Sequence, residues 1–269
     1  MHPLISGLML VAIAAPSQLL LLELFGKIRA PVSIKKLGVP ALVLFLTLLG
    51  YSYVYENHFF GLVGWGLVAG LLATVALDSI RIPGWLVGWM PLDLPIRFGT
   101  MALDLDDGLK MKMMSRVMKY SLGEMKKGRD IIPEGSTIPR LSVSEVRTMI
   151  EPALGDTLRE SGVSKLKTRI VGYLWHYSNG ASFGAAHVLL FGRGDAFYTF
   201  GFSMLLATVF LLILSRLIPV MRPGIKLPAV VILAHVNVSW VLALIAFTFV
   251  GPEMEAFSLL DMLASGIHL

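Results

Sequence analysis

The chain reads as an all-α, polytopic membrane helix bundle. About six transmembrane helices are expected, with a cytoplasmic amphipathic-helical insertion between spans three and four. Three observations carry this reading. Hydrophobic residues make up 55% of the 269 positions and charged residues only 15%, against about 25% charged in a soluble domain. Six apolar stretches are long enough to cross roughly 30 Å of hydrocarbon. All but one of the lysines and arginines fall in alternate connections between those stretches.

The stretches lie near Leu4–Phe25, Val39–Tyr55, Phe60–Ile80, Arg169–Phe191, Ala196–Val220 and Leu227–Val250. The first lacks the basic leader of a secretory signal and runs too long, so it is expected to be a retained span. The second is the shortest. The chain then divides into residues 1–80 with spans one to three, residues 81–168 as the insertion, and residues 169–269 with spans four to six and a short outer tail. Of the 23 lysines and arginines, all but Arg193 fall in the connections after spans one, three and five. The positive-inside rule therefore expects both termini outside and the long basic loop in the cytoplasm, in a prokaryotic cytoplasmic membrane.

The insertion opens with Trp85, Trp89 and three prolines between Ile82 and Gly99, which predicts an interfacial or re-entrant stretch. Leu109, Met113, Val117, Met118, Leu122 and Met125 then recur at helical spacing among lysines and arginines. That pattern suits a helix lying on an anionic leaflet, or a Met-rich surface for a partner protein. Asp104, Asp106 and Asp107 lack the later glutamate of a calcium loop and suit a helix start. A second helix is expected from Ser142, whose spacing to Glu145 is that of a capping box, with Pro152 kinking or ending it. No phosphate loop or dinucleotide fingerprint occurs, and no nucleic-acid partner is expected. The absence of cysteine removes disulfides, thiolate zinc and iron–sulfur centres held by this chain.

Chemistry is expected inside the membrane, where titratable side chains are rare and usually functional. His176 and His187 share one stripe of span four, about 16 Å apart along the axis. Counting rise per residue from the cytoplasmic ends brings His176, His235 and Asp78 to a similar inner level, with Glu23 nearby. His187 belongs to an outer level, with His58 as its candidate partner. Span three carries a ladder of small residues, Gly66, Gly70 and Thr74, ending at Asp78; span four carries Gly172, His176, Gly180 and Gly184 at the same spacing. If those smooth faces pack together, Asp78 comes near His176.

Four readings of the inner group follow. His176, His235 and Asp78 are competent ligands for a transition metal, with Asp78 as ligand or general base. His176 and His235 on different helices suit a b-type haem, with His187 and His58 available for a second. The same groups suit a proton or ion relay in a transporter. Each can also be a plain interhelical hydrogen bond, Asp78 being neutralised by Arg81. The leading expectation is a metal or haem site for redox or hydrolytic chemistry on a lipid-soluble substrate. The alternatives are a transporter, or a non-catalytic subunit that meets partner membrane subunits or its own copies through the glycine faces. Gly180-Ala-Ser182-Phe-Gly184 resembles a serine nucleophile motif, but Ser182 lies about 120° round the helix from His176 and no strand-turn-helix elbow surrounds it.

Overall fold

The computed structural model describes residues 3–128, 131–132, 140–192, 196–217, 221, 224–251 and 259. These residues form helices α1 (Pro3–Leu24), α2 (Ala30–Ser33), α3 (Val39–Tyr55), α4 (Asn57–Leu86), α5 (Leu94–Ala102), α6 (Asp106–Lys126), α7 (Val143–Ser161), α8 (Lys165–Phe191), α9 (Ala196–Leu217) and α10 (Lys226–Phe249). Among them no strand occurs beyond a single bridge between Leu141 and Met221. Four helical stretches are long and apolar enough to cross a membrane: Ala30–Tyr55, Asn57–Leu86, Ala196–Leu214 and Lys226–Phe249. The outer tail falls almost wholly outside the described residues.

The second stretch is longer than the sequence pattern indicates. A π turn over Ile34–Gly38 joins α2 to α3 in one 26-residue run. Pro40 cannot donate a backbone hydrogen bond one turn back, and a wider turn absorbs the missing bond. Little of this run is buried, so its leucines and valines form an outer surface.

Helices α4 and α8 form the centre, with α10 packed on α4, and α1 and α5 packed on α8. Their contact is as close as two helices can make. A Cβ at Gly70 would strike the Gly180 carbonyl, and one at Gly184 would strike Gly66 and Gly70 backbone. The glycine ladders therefore face each other as their spacing predicts. Farther along α8, Gly172 meets the Pro95 carbonyl, and Gly99 meets that of Thr168, which seats α5 equally tightly. Residues 90–101 are buried throughout, so the second half of the proline-rich stretch, a bend leading into α5, is enclosed by protein, while Leu86, Val87 and Trp89 before it are exposed.

Helices α6 and α7 pair antiparallel, tied by Lys112 to Glu160, Arg116 to Asp156 and Tyr120 to Glu145. The Ser142 capping box forms as its spacing predicts. Helix α7 does not end at Pro152. The ring lies on the exposed side, where the carbonyl it leaves unpaired can be hydrated. On α6 the buried face is Asp106, Leu109, Met113, Val117, Ser121 and Glu124. Met118, Leu122 and Met125, expected on that face, instead join Met111 and Met114 in an exposed apolar stripe. One apolar core runs unbroken from this hairpin through α5 to Leu19, Trp175, Leu214 and Leu227.

Candidate functional site

At the lower end of the α4–α8 contact, beyond the glycines, the ladder delivers Asp78 to His176. Asp78 Oδ1 lies 3.0 Å from His176 Nε2 and 2.7 Å from Arg81 Nε. A carboxylate paired with a guanidinium accepts hydrogen bonds, so Nε2 is the protonated ring nitrogen in this arrangement. Arg81 reaches onward to Asp93 Oδ1 at 3.0 Å and the Tyr173 hydroxyl at 3.4 Å. Side-chain exposure is 6% at Asp78, 3% at Arg81 and 7% at Asp93. Removing one member would therefore strand an uncompensated buried charge. Among the described residues, Asp78 Oδ2 is buried with no hydrogen-bond partner. The rings of Phe98, Tyr173 and Tyr177 surround His176, with centroids 5.6 to 6.3 Å away.

A cavity of about 360 Å³ opens beside this cluster, bounded by α1, α4, α5, α8, α9 and α10. Its walls are mainly apolar, with Leu77, Phe98, Phe183, Phe210 and Val231 prominent. Polar groups reach it at few points. His176 and Arg81 mark the cluster end, and His235, Asn179, Thr74 and Ser17 are dispersed along the walls. Nδ1 of His235 lies 2.8 Å from the Val231 carbonyl, to which it donates, so Nε2 keeps its lone pair. Ser17 donates to Asn179 Oδ1 at 2.9 Å, which leaves the amide NH2 as a donor.

Several expectations are corrected here. Among the described residues no three His, Asp or Glu side chains group closely enough to hold a metal ion. The site expected from His176, His235 and Asp78 is therefore a pair plus a third residue elsewhere on the cavity wall. The His235 ring is held by its own helix, through the Val231 carbonyl. A b-type haem between the two histidines also fits poorly, because the His176 Nε2 it would ligate is engaged by Asp78. The outer pair is not formed. His187 is fully buried and its Nε2 lies 3.0 Å from Thr199 Oγ1 on α9, whereas His58 is exposed at the start of α4. Glu23 is drawn to the backbone N–H of Ala30.

Other polar residues resolve into structural roles. Ser182 donates to the Ser178 carbonyl of its own helix, as a glycine-flanked contact residue does. Asn237 makes an interhelical bond, donating to Ala76 O at 3.2 Å. Ser17 bonds Asn179 on α8, and Trp175 Nε1 donates to Pro16 O at 3.1 Å. Asp104 and Asp107 pair with Arg29, and Asp106 with Arg97 and Lys110.

Asp93, Arg97 and Tyr173 have no counterpart in the sequence reading. The one signal available was an acid and a base, Asp93 and Arg97, inside an otherwise apolar stretch at i, i+4 spacing. Comparison with protein-family models, curated proteins and solved structures finds no match to this chain.

Proposed function

We propose that this is an integral membrane protein of six spans, with both termini outside and the α6–α7 hairpin on the cytoplasmic side. Its intramembrane cavity binds a lipid-soluble molecule bearing a polar head. The long helices α1 and α8 complete the six by pairing with the four apolar runs. The gathering of every lysine and arginine but Arg193 into the connections after spans one, three and five supports the orientation.

The observation that carries the ligand assignment is an apolar cavity meeting a buried His176–Asp78–Arg81 cluster. Apolar walls with a few convergent polar groups are the usual form of a small-molecule site. The head would meet the Asn179 amide as a donor and His235 Nε2 as an acceptor. His176, oriented by Asp78, is placed to exchange a proton with a hydroxyl or carbonyl there. Asp78 acts through His176, holding its tautomer and balancing the imidazolium that proton uptake would form.

Organic extraction of detergent-purified protein, followed by mass spectrometry, tests the reading. One lipid-soluble species should be recovered per chain. It should be lost when the buried cavity-wall residue Ala234 is enlarged in Ala234→Phe and retained in the exposed control Leu233→Phe. An empty extract, or the same extract from both variants, would overturn the proposal.

A further inference from the structure

A second cavity, of about 320 Å³, lies where α4, α5, α6, α7 and α8 meet. Five cationic side chains line it, namely Arg97, Lys110, Arg147, Lys165 and Arg169, against two acids, Asp93 and Glu151. Three of the cations are committed. Arg97 and Lys110 share Asp106, while Arg147 bonds Glu151 and the Trp85 carbonyl and lies over the Trp85 ring. The other two have capacity to spare. Arg169 reaches Asp93 only at 3.8 Å, and its Nε is buried without a hydrogen bond among the described residues. Lys165, one turn earlier on α8, makes no ion pair among the described residues.

The opposite wall is apolar, formed by Trp85, Ile96, Leu109, Met113, Ile150 and Leu154. Trp85 lies near the end of α4 and Lys165 begins α8, so the cavity lies where both helices leave the apolar layer. From this geometry we infer that the cavity binds the phosphate of an anionic phospholipid headgroup. Lys165 and Arg169 take the phosphate oxygens, and the apolar wall takes the upper part of an acyl chain. Arginine forks match phosphate oxygens, and basic pockets between helices at the cytoplasmic level suit such headgroups. The inference rests on the membrane assignment of α4 and α8 but not on the intramembrane ligand.

The test is native mass spectrometry and lipid titration of the full chain. Nanodiscs of phosphatidylcholine alone are compared with nanodiscs containing added phosphatidylglycerol. The wild type should retain one phosphatidylglycerol in preference to phosphatidylcholine. Removing a basic side chain near the headgroup plane weakens binding about five-fold, so Lys165→Gln with Arg169→Gln should weaken it about 25-fold. Lys35→Gln with Lys36→Gln, at exposed lysines on the same expected side, should leave the tightest binding event unchanged. So should Ala234→Phe, which separates this site from the intramembrane one. Matched unfolding temperatures in phosphatidylcholine discs check that the variants are folded. Displacement by millimolar inorganic phosphate would keep the phosphate site and assign it to a soluble ligand, whereas resistance assigns it to the lipid. Equal retention of the two lipids, or undiminished binding in the Lys165/Arg169 variant, overturns the inference.

Discussion

Gly70 and Gly180 determine how closely α4 and α8 approach, and the Asp78–His176 contact depends on that approach. A Cβ at Gly70 would lie 2.8 Å from the Gly180 carbonyl carbon and 2.9 Å from Ala181 Cα. At Gly180 it would lie 2.9 Å from Thr74 Cβ and 3.1 Å from the Gly70 carbonyl oxygen. Carbon atoms pack at about 3.5–4.0 Å, so either alanine forces the helices apart by about 1 Å. At Gly70 the obstacles are all backbone, which places the cost there in the upper part of the range of about 1–3 kcal/mol for overpacking. Helix propensity returns up to about 1 kcal/mol of it. Gly64 supplies the control on the same helix, because a Cβ there meets nothing within 4 Å. Gly64→Ala should be neutral or stabilising, and Gly70→Ala should fall below it by about 2–3 kcal/mol. In thermal unfolding in detergent that gap is about 4–12 °C for a chain of this size. The double variant Gly70→Ala/Gly180→Ala should cost less than the sum of its parts, since both open one contact. Equal midpoints for Gly64→Ala and Gly70→Ala would refute the close approach, and with it the geometry of the buried cluster.

Three further outcomes follow from the structure. The Arg116 guanidinium, by hydrogen bond, holds the Asp156 carboxyl below its ordinary value of 3.8. The folded hairpin thus gains from this pair above about pH 4 and loses the gain as pH falls through the lower folded value. Hydrogen exchange of α6 and α7 should show that acid loss in the wild type, and an unchanged acid profile in Asp156→Asn would contradict it. Ser142→Ala removes the hydroxyl that accepts from the Glu145 N–H, while the backbone N–H at position 142 keeps the Glu145 carboxylate, and should destabilise the first turn of α7 by about 1 kcal/mol, visible as faster exchange at the Glu145 amide. Ser182→Ala deletes only a bond within α8, so extracted ligand and unfolding temperature should match the wild type; loss of the ligand alone would revive a chemical role for Ser182.

The parts of this fold legible from sequence are those governed by one-dimensional periodicity. The small-residue ladders at i, i+4 spacing bring α4 and α8 together with Asp78 opposite His176, and the Ser142–Glu145 spacing forms its cap. Depth along a helix is also legible, since rise per residue is fixed. Azimuth is not. His187 and His58 share a level, yet His187 turns toward Thr199, and that direction depends on where α9 packs. On α6 the lysines and methionines alternate closely enough to define two apolar stripes, and only the presence of α7 selects which is buried. Asp93 and Arg97 were hidden for a related reason. A short proline-flanked stretch with two charges reads as interfacial until Gly99 and Gly172 let α5 sink against α8.

The buried charges are not needed to join the central helices. Glycine-to-backbone packing already secures α4 against α8 and α5 against α8, and buried ion pairs contribute little net stability compared with apolar residues of similar volume. Five ionisable side chains linked across α4, the α4–α5 turn and α8 therefore call for an explanation other than cohesion. Their position supplies one. Arg81 lines the intramembrane cavity, its partner Asp93 lines the basic cavity beyond it, and the bond between them is 3.0 Å long. One ion pair thus reaches from the lining of one cavity to the lining of the other. Any anion entering the basic cavity competes with Asp93 for Arg169, while any change of charge at His176 acts on Asp78 and so on Arg81. Where such a competition shifts the ion pairs, reciprocity of linked equilibria makes the effect of each cavity on the other mutual. A cluster built only to hold helices together has no reason to touch both.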